Sequence, residues 1–290
     1  RRGLTFLERQ PEVDGNKLGV YGHSMGGKLT VLTAGSDKRV RAAAPSCGGI
    51  SDRYSANPLH LATVSDPPSL KEITCPIIFL SPSNDFHGRI NDLETSIREI
   101  KSKDWRVTCS PHHNHQDTPE YEVATQLWFD QHLKNSFRFP KTPELKLLLP
   151  AGKSPMVTVD VDDSREITAI DVFYTQQAQT DGKRDNSSNT KNRFWQHSAV
   201  SKNGGKWTAP LQLFSVEKPL WVYANVTYQL KKPISGAGYY YGIYSASQFT
   251  LSSLMKAAKA IDVMKSRVVS TLKTNILIED FKDDWRKEWF

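Results

Sequence analysis

The chain has 290 residues and a formal net charge of +7. This length is enough for one large domain or two ordinary ones, each with a substantial apolar core. No run of about 18 apolar residues occurs, so we expect no membrane-spanning helix and no membrane partner. The basic excess lies in residues 140–290 without a dense cluster, and no groove-reading motif accompanies it, which argues against a nucleic-acid partner.

The three cysteines, Cys47, Cys75 and Cys109, all fall in apolar segments. Their positions are typical of buried thiols and not of a disulfide framework. No spacing of potential ligands is typical of a zinc site. The sequence therefore predicts neither a metal nor a cofactor.

The first predicted elements surround a glycine-rich turn. Residues 1–10 have an amphipathic helical pattern, and a short apolar strand follows around Leu18 and Val20. The strand breaks at residues 22–26, which read GHSMG, and a helical pattern continues over 28–34. The pattern G-x-S-x-G between a strand and a helix is typical of a nucleophile elbow, in which the serine sits on a sharp, exposed turn.

Ser24 is therefore a candidate nucleophile. A serine at the tip of such a turn has a strained backbone and requires small neighbours, which Gly22 and Gly26 supply, while Gly27 lets the helix pack close to the strand. The position also places Ser24 at a helix N-terminus, where free backbone N–H groups favour a developing negative charge. The alternative interpretation is a chance glycine-rich turn.

The next elements continue an alternation of strands and helices. Residues 40–44 predict a second strand, and residues 50–70 predict a polar, loop-rich excursion over the site. Residues 73–81 form a continuous apolar run typical of a central parallel strand, and this run ends in a polar turn that contains Asp85. Residues 91–101 have helical spacing.

A fourth strand is predicted at 105–109, followed by a histidine-rich turn at 111–115 and an amphipathic helix at 119–134. This alternation predicts an α/β fold, a parallel sheet with helices on both faces. Because open α/β sheets place their sites at the carboxyl edge, we expect the three polar turns to meet there.

A serine nucleophile needs a base within hydrogen-bond reach, and the base needs a carboxylate that fixes its tautomer. Asp85 follows one predicted strand and His115 follows the next, so the chain order is Ser, Asp, His, as in α/β-hydrolases. Asp85 could instead be a turn-former. Asp52 and Asp92 are the alternative acids.

Three histidines compete for the role of base. His115 is preferred, His113 is predicted to line the substrate pocket, and His112 is predicted to be solvated. His23 and His87 are predicted to pack or hydrogen-bond locally and not to transfer protons. We assign His23 and His113 to substrate binding.

The pattern changes near residues 137–143, which we interpret as a linker. Beyond it, apolar residues alternate with polar ones at 157–161, 167–174 and 220–228, which predicts a β-sandwich. We therefore divide the chain into an α/β domain at 1–139 and an all-β sandwich domain at 140–290. Residues 253–264 favour one short helix.

Aromatic residues gather in two places in this second half. They lie at 239–244 and near the end of the chain, at Phe281, Trp285, Trp289 and Phe290. A flat aromatic surface can stack on sugar rings. The alternative interpretation is that these side chains belong to the sandwich core and to a packed tail.

Residues 1–139 resemble the carboxyl-terminal two-thirds of an α/β-hydrolase of the dienelactone hydrolase/acetyl xylan esterase-like group. The matching motifs are GHSMGG at 22–27, SPSNDFHGR at 81–89 and PHHNH at 111–115. In such hydrolases further strands precede this part of the sheet, together with a loop that supplies a second oxyanion N–H. The resemblance therefore implies a missing amino-terminal segment or chain that completes the hydrolase domain.

The same resemblance implies a role for each site residue. It implies Ser24 as nucleophile, His115 as general base and Asp85 as the orienting acid. The backbone N–H of Met25 would be one oxyanion donor.

The expected function is that of a serine hydrolase that cleaves carboxylic esters through an acyl-enzyme. A small-molecule or carbohydrate ester is the expected substrate, and deacetylation of carbohydrate is the first class to consider. The alternatives are a serine peptidase of the same fold and a non-catalytic hydrolase-like protein that binds a polysaccharide or a partner. A secreted or periplasmic location is expected from the architecture.

Overall fold

The computed structural model describes residues 1–178, 187–203, 205–238 and 242–271. The aromatic residues at 239–241 and at 281–290 lie outside these ranges. The helices are α1 (Arg2–Glu8), α2 (Met25–Ser36), α3 (Pro58–Thr63), α4 (Asp66–Leu70), α5 (Leu93–Glu99), α6 (Pro119–His132), α7 (Ser187–Thr190) and α8 (Ala260–Ser266).

Among the described residues, four strands form a parallel sheet and nine belong to antiparallel sheets. The parallel strands are β1 (Leu18–His23), β2 (Val40–Ser46), β3 (Ile77–Leu80) and β4 (Trp105–Thr108). The antiparallel strands are β5 (Glu144–Leu148), β6 (Met156–Asp160), β7 (Ile167–Thr175), β8 (Gln196–Ser198), β9 (Ser201–Asn203), β10 (Lys206–Pro210), β11 (Leu220–Gly238), β12 (Gly242–Ser252) and β13 (Lys256–Ala258).

The parallel sheet has the order β1-β2-β3-β4, which confirms the predicted α/β fold. The last residues of the four strands are paired in one row, His23 with Ser46, Ser46 with Leu80, and Leu80 with Thr108. The segments that follow these strands therefore begin at the same edge of the sheet. This row brings the three predicted polar turns together.

Both faces of the parallel sheet are covered, as the apolar run of β3 predicts. Ile77 and Phe79 belong to a buried cluster with residues of α2, whereas Ile78 and Leu80 belong to another cluster with residues of α6. A strand that is buried on both faces needs apolar residues at consecutive positions, since successive side chains point to opposite faces.

The prediction of a loop-rich excursion at 50–70 is wrong in part, because two short helices, α3 and α4, form there. Asn57 caps α3 by accepting hydrogen bonds from the N–H groups of Leu59 and His60, and Pro58 occupies the first helical position. A polar cap and a proline at the first position favour a helix start. The prolines therefore begin these helices.

The second half consists of two antiparallel sheets. One has the order β5-β6-β10-β9 and the other β12-β11-β7-β8, with β13 also paired to β11. Val157 and Val159 of the first sheet share an apolar cluster with Val172, Val222 and Ala224 of the second. The predicted single helix at 253–264 is instead strand β13 followed by α8.

The second half packs around the β4 edge of the parallel sheet. Its residues join the apolar clusters on both faces, with Trp195 and Tyr223 on the α2 side and Phe249 on the α6 side. At the edge itself, the Cys109 N–H donates to Ser252 Oγ at 2.7 Å and Asn225 Nδ2 donates to the Cys109 carbonyl at 3.1 Å. The division of the chain at 139/140 stays a prediction.

Within the described ranges, every helix is too short or too polar to cross a bilayer.

Two glycines of the elbow are required by close backbone approach. A β-carbon on Gly22 would lie 2.4 Å from the carbonyl oxygen of Gly26, and one on Gly27 would lie 2.4 Å from that of Ser46. A β-carbon on Gly26 would meet no atom within 4 Å. The sequence therefore indicates correctly that the turn is crowded, but the space that Gly26 leaves is not itself needed.

We expect Gly27→Ala to lower the free energy of unfolding by about 1–3 kcal/mol, because the added carbon must push β2 away from α2. Gly26→Ala is the matched control and should hold or raise stability by up to about 1 kcal/mol, because alanine favours a helix. Urea unfolding of both variants measures the difference. Equal stability of the two would contradict the steric argument.

Candidate active site

Ser24 lies at a strained turn between β1 and α2. Its backbone angles are φ 60° and ψ −118°, a region that residues with a side chain rarely adopt. Its N–H donates to the carbonyl of Ser46 at 2.8 Å, which ties the turn to the neighbouring strand. The strain therefore persists because β2 and the crowded glycines fix the backbone on both sides.

Ser24, His115 and Asp85 form one chain of hydrogen bonds. The Ser24 hydroxyl lies 2.7 Å from His115 Nε2, and His115 Nδ1 lies 3.0 Å from Asp85 Oδ1. The Asp85 side chain is fully buried, whereas that of His115 is 22% exposed. A carboxylate at Nδ1 holds the proton there and leaves Nε2 free to accept the serine proton.

Asp85 also performs the turn-forming role that the sequence left open. Its Oδ1 accepts the backbone N–H of His87 at 2.8 Å in addition to the bond from His115. The two alternative acids lie elsewhere. Asp92 pairs with Arg89 at 2.9 Å, and Asp52 pairs with Lys28 and His60, so neither is bonded to His115.

His23 lies beside this chain, with its ring centroid 5.0 Å from that of His115 and its Nδ1 3.1 Å from Ser46 Oγ. Burial and then the charge of His115 lower the pKa of His23 to about 4. The imidazole is therefore neutral at pH 7, and it can offer a hydrogen bond to a ligand but no positive charge.

The other histidines lie nearby in different settings. His113 is half-buried, burial lowers its pKa, and its carbonyl accepts the Asn84 N–H at 3.0 Å. His112 packs against Phe194 with ring centroids 5.0 Å apart. His87 Nδ1 bonds locally to the Cys47 carbonyl at 3.0 Å.

Met25 is the first residue of α2, and its side chain is exposed. The first N–H groups of an α-helix have no partner within the helix, and they carry the positive end of its dipole. The Met25 N–H therefore lies at the positive end of α2, directly after Ser24 in the chain.

Two features of the site were not predicted from the sequence. Phe86 stacks near His115 with ring centroids 4.8 Å apart, and Cys47 has a positive φ of 53° directly after β2. Phe86 lies within the quoted motif at 81–89, so its position next to Asp85 was an available signal. No feature of the sequence predicts the positive φ of Cys47.

A cluster of potential metal ligands adjoins the site. His23, Cys47 and His115 present nitrogen and sulfur atoms within 4.8 Å of one another. However, burial and the charges of Asp85 and Asp117 raise the pKa of the Cys47 thiol well above its usual value. His115 Nε2 is hydrogen-bonded to Ser24 Oγ and His115 Nδ1 to Asp85 Oδ1, so both ring nitrogens already have partners.

Asp117 is a second buried carboxyl, two residues after His115. It accepts a hydrogen bond from the Ser110 hydroxyl at 2.7 Å. Burial raises its pKa to about 7, and the charges of Glu122 and Asp85 act in the same direction. The carboxyl group therefore changes its protonation near neutral pH.

The first part of the chain is similar to a known protein family. Residues 2–118 match the family model described as "Dienelactone hydrolase family". No curated protein matches the chain.

Solved structures overlap the chain over less than half its length. Acetyl xylan esterase 1 from Thermoanaerobacterium sp. JW/SL YS485 is 18% identical, with 44% of this chain and 49% of that chain covered and a TM-score of 0.39. The acetyl xylan esterase from Paenibacillus sp. R4 is 19% identical, with coverages of 46% and 50% and a TM-score of 0.40. A cold-adapted esterase from an Arctic intertidal metagenomic library is 23% identical, with coverages of 46% and 53% and a TM-score of 0.37.

The chain thus spans about half the length of the solved structures that it matches.

We expect Asp117 to make stability depend on pH. In the unfolded chain its pKa is near 4, so between about pH 4 and pH 7 the unfolded state has lost a proton that the folded state retains. The free energy of unfolding should therefore fall through this window by about 1–4 kcal/mol relative to Asp117→Asn, which cannot ionise. Urea unfolding of both proteins at intervals from pH 4 to pH 8 measures the difference. A difference that does not change with pH would contradict the raised pKa.

Proposed function

We propose that the chain is a serine hydrolase of carboxylic esters, with Ser24 as nucleophile, His115 as general base and Asp85 as the acid that orients His115. The observation that carries the proposal is the continuous hydrogen-bonded chain from Ser24 through His115 to Asp85. We would not expect a serine without a catalytic role to have both a strained backbone and this chain of hydrogen bonds. This arrangement is what an activated serine requires.

The reaction has two steps. In acylation, Ser24 Oγ attacks the ester carbonyl while His115 Nε2 takes its proton, and His115 then gives that proton to the departing alcohol. In deacylation, His115 takes a proton from water, the resulting hydroxide attacks the acyl carbon, and Ser24 recovers its proton as the acid leaves. Asp85 keeps the Nδ1 proton of His115 in place throughout.

The oxyanion of each tetrahedral intermediate is proposed to accept a hydrogen bond from the Met25 N–H. The start of α2 supplies further positive potential at that point. Removal of one such donor costs about 10²–10³ in rate in serine hydrolases. Helix and nucleophile are adjacent in the chain, so the donor needs no rearrangement to reach the intermediate.

His23 and His113 are proposed to contact the substrate. His23 is neutral at pH 7 and lies beside the reacting groups, so it can bond to an uncharged ester or hydroxyl oxygen. His113 is half-buried, and burial lowers the pKa of its imidazole. Neutral donors of this kind suit a polyhydroxylated ligand better than a charged one.

An acetylated carbohydrate is the substrate class we propose, on the strength of the motif resemblance at 22–27, 81–89 and 111–115. A peptidase and a non-catalytic binding protein are the alternatives. An ester panel that includes acetylated xylo-oligosaccharides, set beside peptide amides, separates the two enzymatic classes. Cleavage of peptides and not of esters would replace the esterase proposal.

We expect a fluorophosphonate to add once to the wild-type chain and not to Ser24→Ala, because only an activated serine reacts with this reagent. Intact mass measurement detects the adduct. Ser46→Ala is the matched control, since Ser46 lies at the same sheet edge but bonds to His23, and this variant should still be labelled. Absence of an adduct on the folded wild-type chain would favour a binding protein.

We expect Asp85→Asn to lower kcat for p-nitrophenyl acetate by about 10⁴-fold, because the amide cannot hold the required tautomer of His115. Asp52→Asn is the matched control and should change kcat by less than about threefold, since the Asp52 carboxylate pairs with Lys28 and His60 and not with His115. Initial rates at saturating substrate measure both. Equal losses in the two variants would refute the assignment of the acid.

A further inference from the structure

Asn84, the residue before Asp85, joins the acid turn to the second half of the chain. It is buried at 1% exposure. Its Oδ1 accepts a hydrogen bond from Trp195 Nε1 at 2.7 Å, and its Nδ2 donates to the Arg193 carbonyl at 2.7 Å. Both sides of the amide are therefore fixed by one segment, residues 193–195.

Asn114, the residue before His115, is tied to the same place. Its Nδ2 donates to the Asn84 carbonyl at 2.6 Å and lies 3.3 Å from Thr190 Oγ1. The Asn84 N–H in turn donates to the carbonyl of His113 at 3.0 Å. The acid turn and the histidine turn are thus bound to each other through two asparagines, each one peptide unit from a proposed catalytic residue.

The segment that holds the asparagines is itself firmly anchored. Trp195 is 1% exposed and packs edge-on against Tyr223 with ring centroids 5.0 Å apart. The Arg193 guanidinium lies 4.9 Å from the ring centroid of Trp221. The Phe194 N–H donates to Gln177 Oε1 at 2.6 Å. Residues 193–195 are therefore held by contacts to the second half of the chain as well as by their bonds to Asn84.

We propose that Asn84 and Asn114, held by residues 190–195, are positioning residues that set the distances between Ser24, His115 and Asp85. We call this set of contacts the asparagine clasp. The inference rests on the proposed function, and it assigns to the second half a part in catalysis without contact to the reacting atoms.

The positions of catalytic groups tolerate little displacement. A misplacement of about 1 Å in a catalytic group can cost about 10²-fold in rate. Loss of the Trp195 N–H would leave the buried Asn84 Oδ1 without its donor, and the turn would move to find water or another partner. Because Asp85 follows directly, its carboxylate would move with the turn and loosen its bond to His115.

The test measures the kinetics of fluorophosphonate labelling on the full chain, separating the maximal rate kinact from the half-saturation constant KI. Asn84→Ala should lower kinact by about 10²-fold with KI unchanged. Trp195→Phe removes the donor and keeps an aromatic ring, and it should lower kinact by about tenfold. In the double variant the losses should not multiply, because Trp195 acts through Asn84.

Trp207→Phe is the matched control, because Trp207 is a half-buried tryptophan of the other antiparallel sheet. It should label within about twofold of the wild type. Far-UV circular dichroism and urea unfolding identify any variant that fails to fold. Should Asn84→Ala fail, the more conservative Trp195→Phe carries the test.

The outcomes separate the two proposals. Folded clasp variants that label at the wild-type kinact, while Ser24→Ala does not label, overturn the clasp and leave the proposed function standing. A raised KI with unchanged kinact also overturns it, since the residues would then act in binding. A wild-type chain without a Ser24 adduct overturns the proposed function, and the clasp with it.

Discussion

The site depends on the alignment of the four parallel strands, whose last residues are paired across the sheet. Backbone bonds extend the alignment past the strand ends, since the N–H of Ser24 reaches Ser46 and that of Cys47 reaches Leu80. The serine, acid and histidine turns thus start from fixed points along the same edge of the sheet. Side chains on these turns need only short reach to meet, which is why α/β sheets concentrate chemistry at this edge.

Behind the serine and histidine lies a buried acidic region. Asp85 and Asp117 are both buried, and each carries an unpaired carboxylate oxygen within the described part of the chain. Burial raises the pKa of Asp117, and the negative charges of Glu122 and Asp85 add to the shift. Asp85, and not Asp117, is the carboxyl group that is bonded to His115. Asp85 and Asp117 have the same side chain, and their different surroundings give them different roles.

Much of the fold and of the site could be predicted from short stretches of sequence, and some of it could not. Ser24, Asp85 and His115 are brought together as the chain order predicts, because each follows an apolar strand. The helices α3 and α4 were not predicted because they are short, with six and five residues. The bond between Trp195 and Asn84 joins residues 111 positions apart, and no spacing pattern encodes such a contact. No spacing pattern encodes the hydrogen bonds between Cys109, at the edge of β4, and the side chains of Asn225 in β11 and Ser252 in β12 either.

The position of these contacts along the chain has a consequence for the order of folding. The elbow, the acid turn and the histidine turn are all synthesised by residue 115, whereas Trp195, Asn225 and Ser252 emerge much later. Contacts of such long sequence separation must offset a large loop-closure entropy, and they form slowly. A nascent chain therefore contains Ser24, Asp85 and His115 well before it contains the residues that hold their turns in place. We expect the site to be complete only late in synthesis.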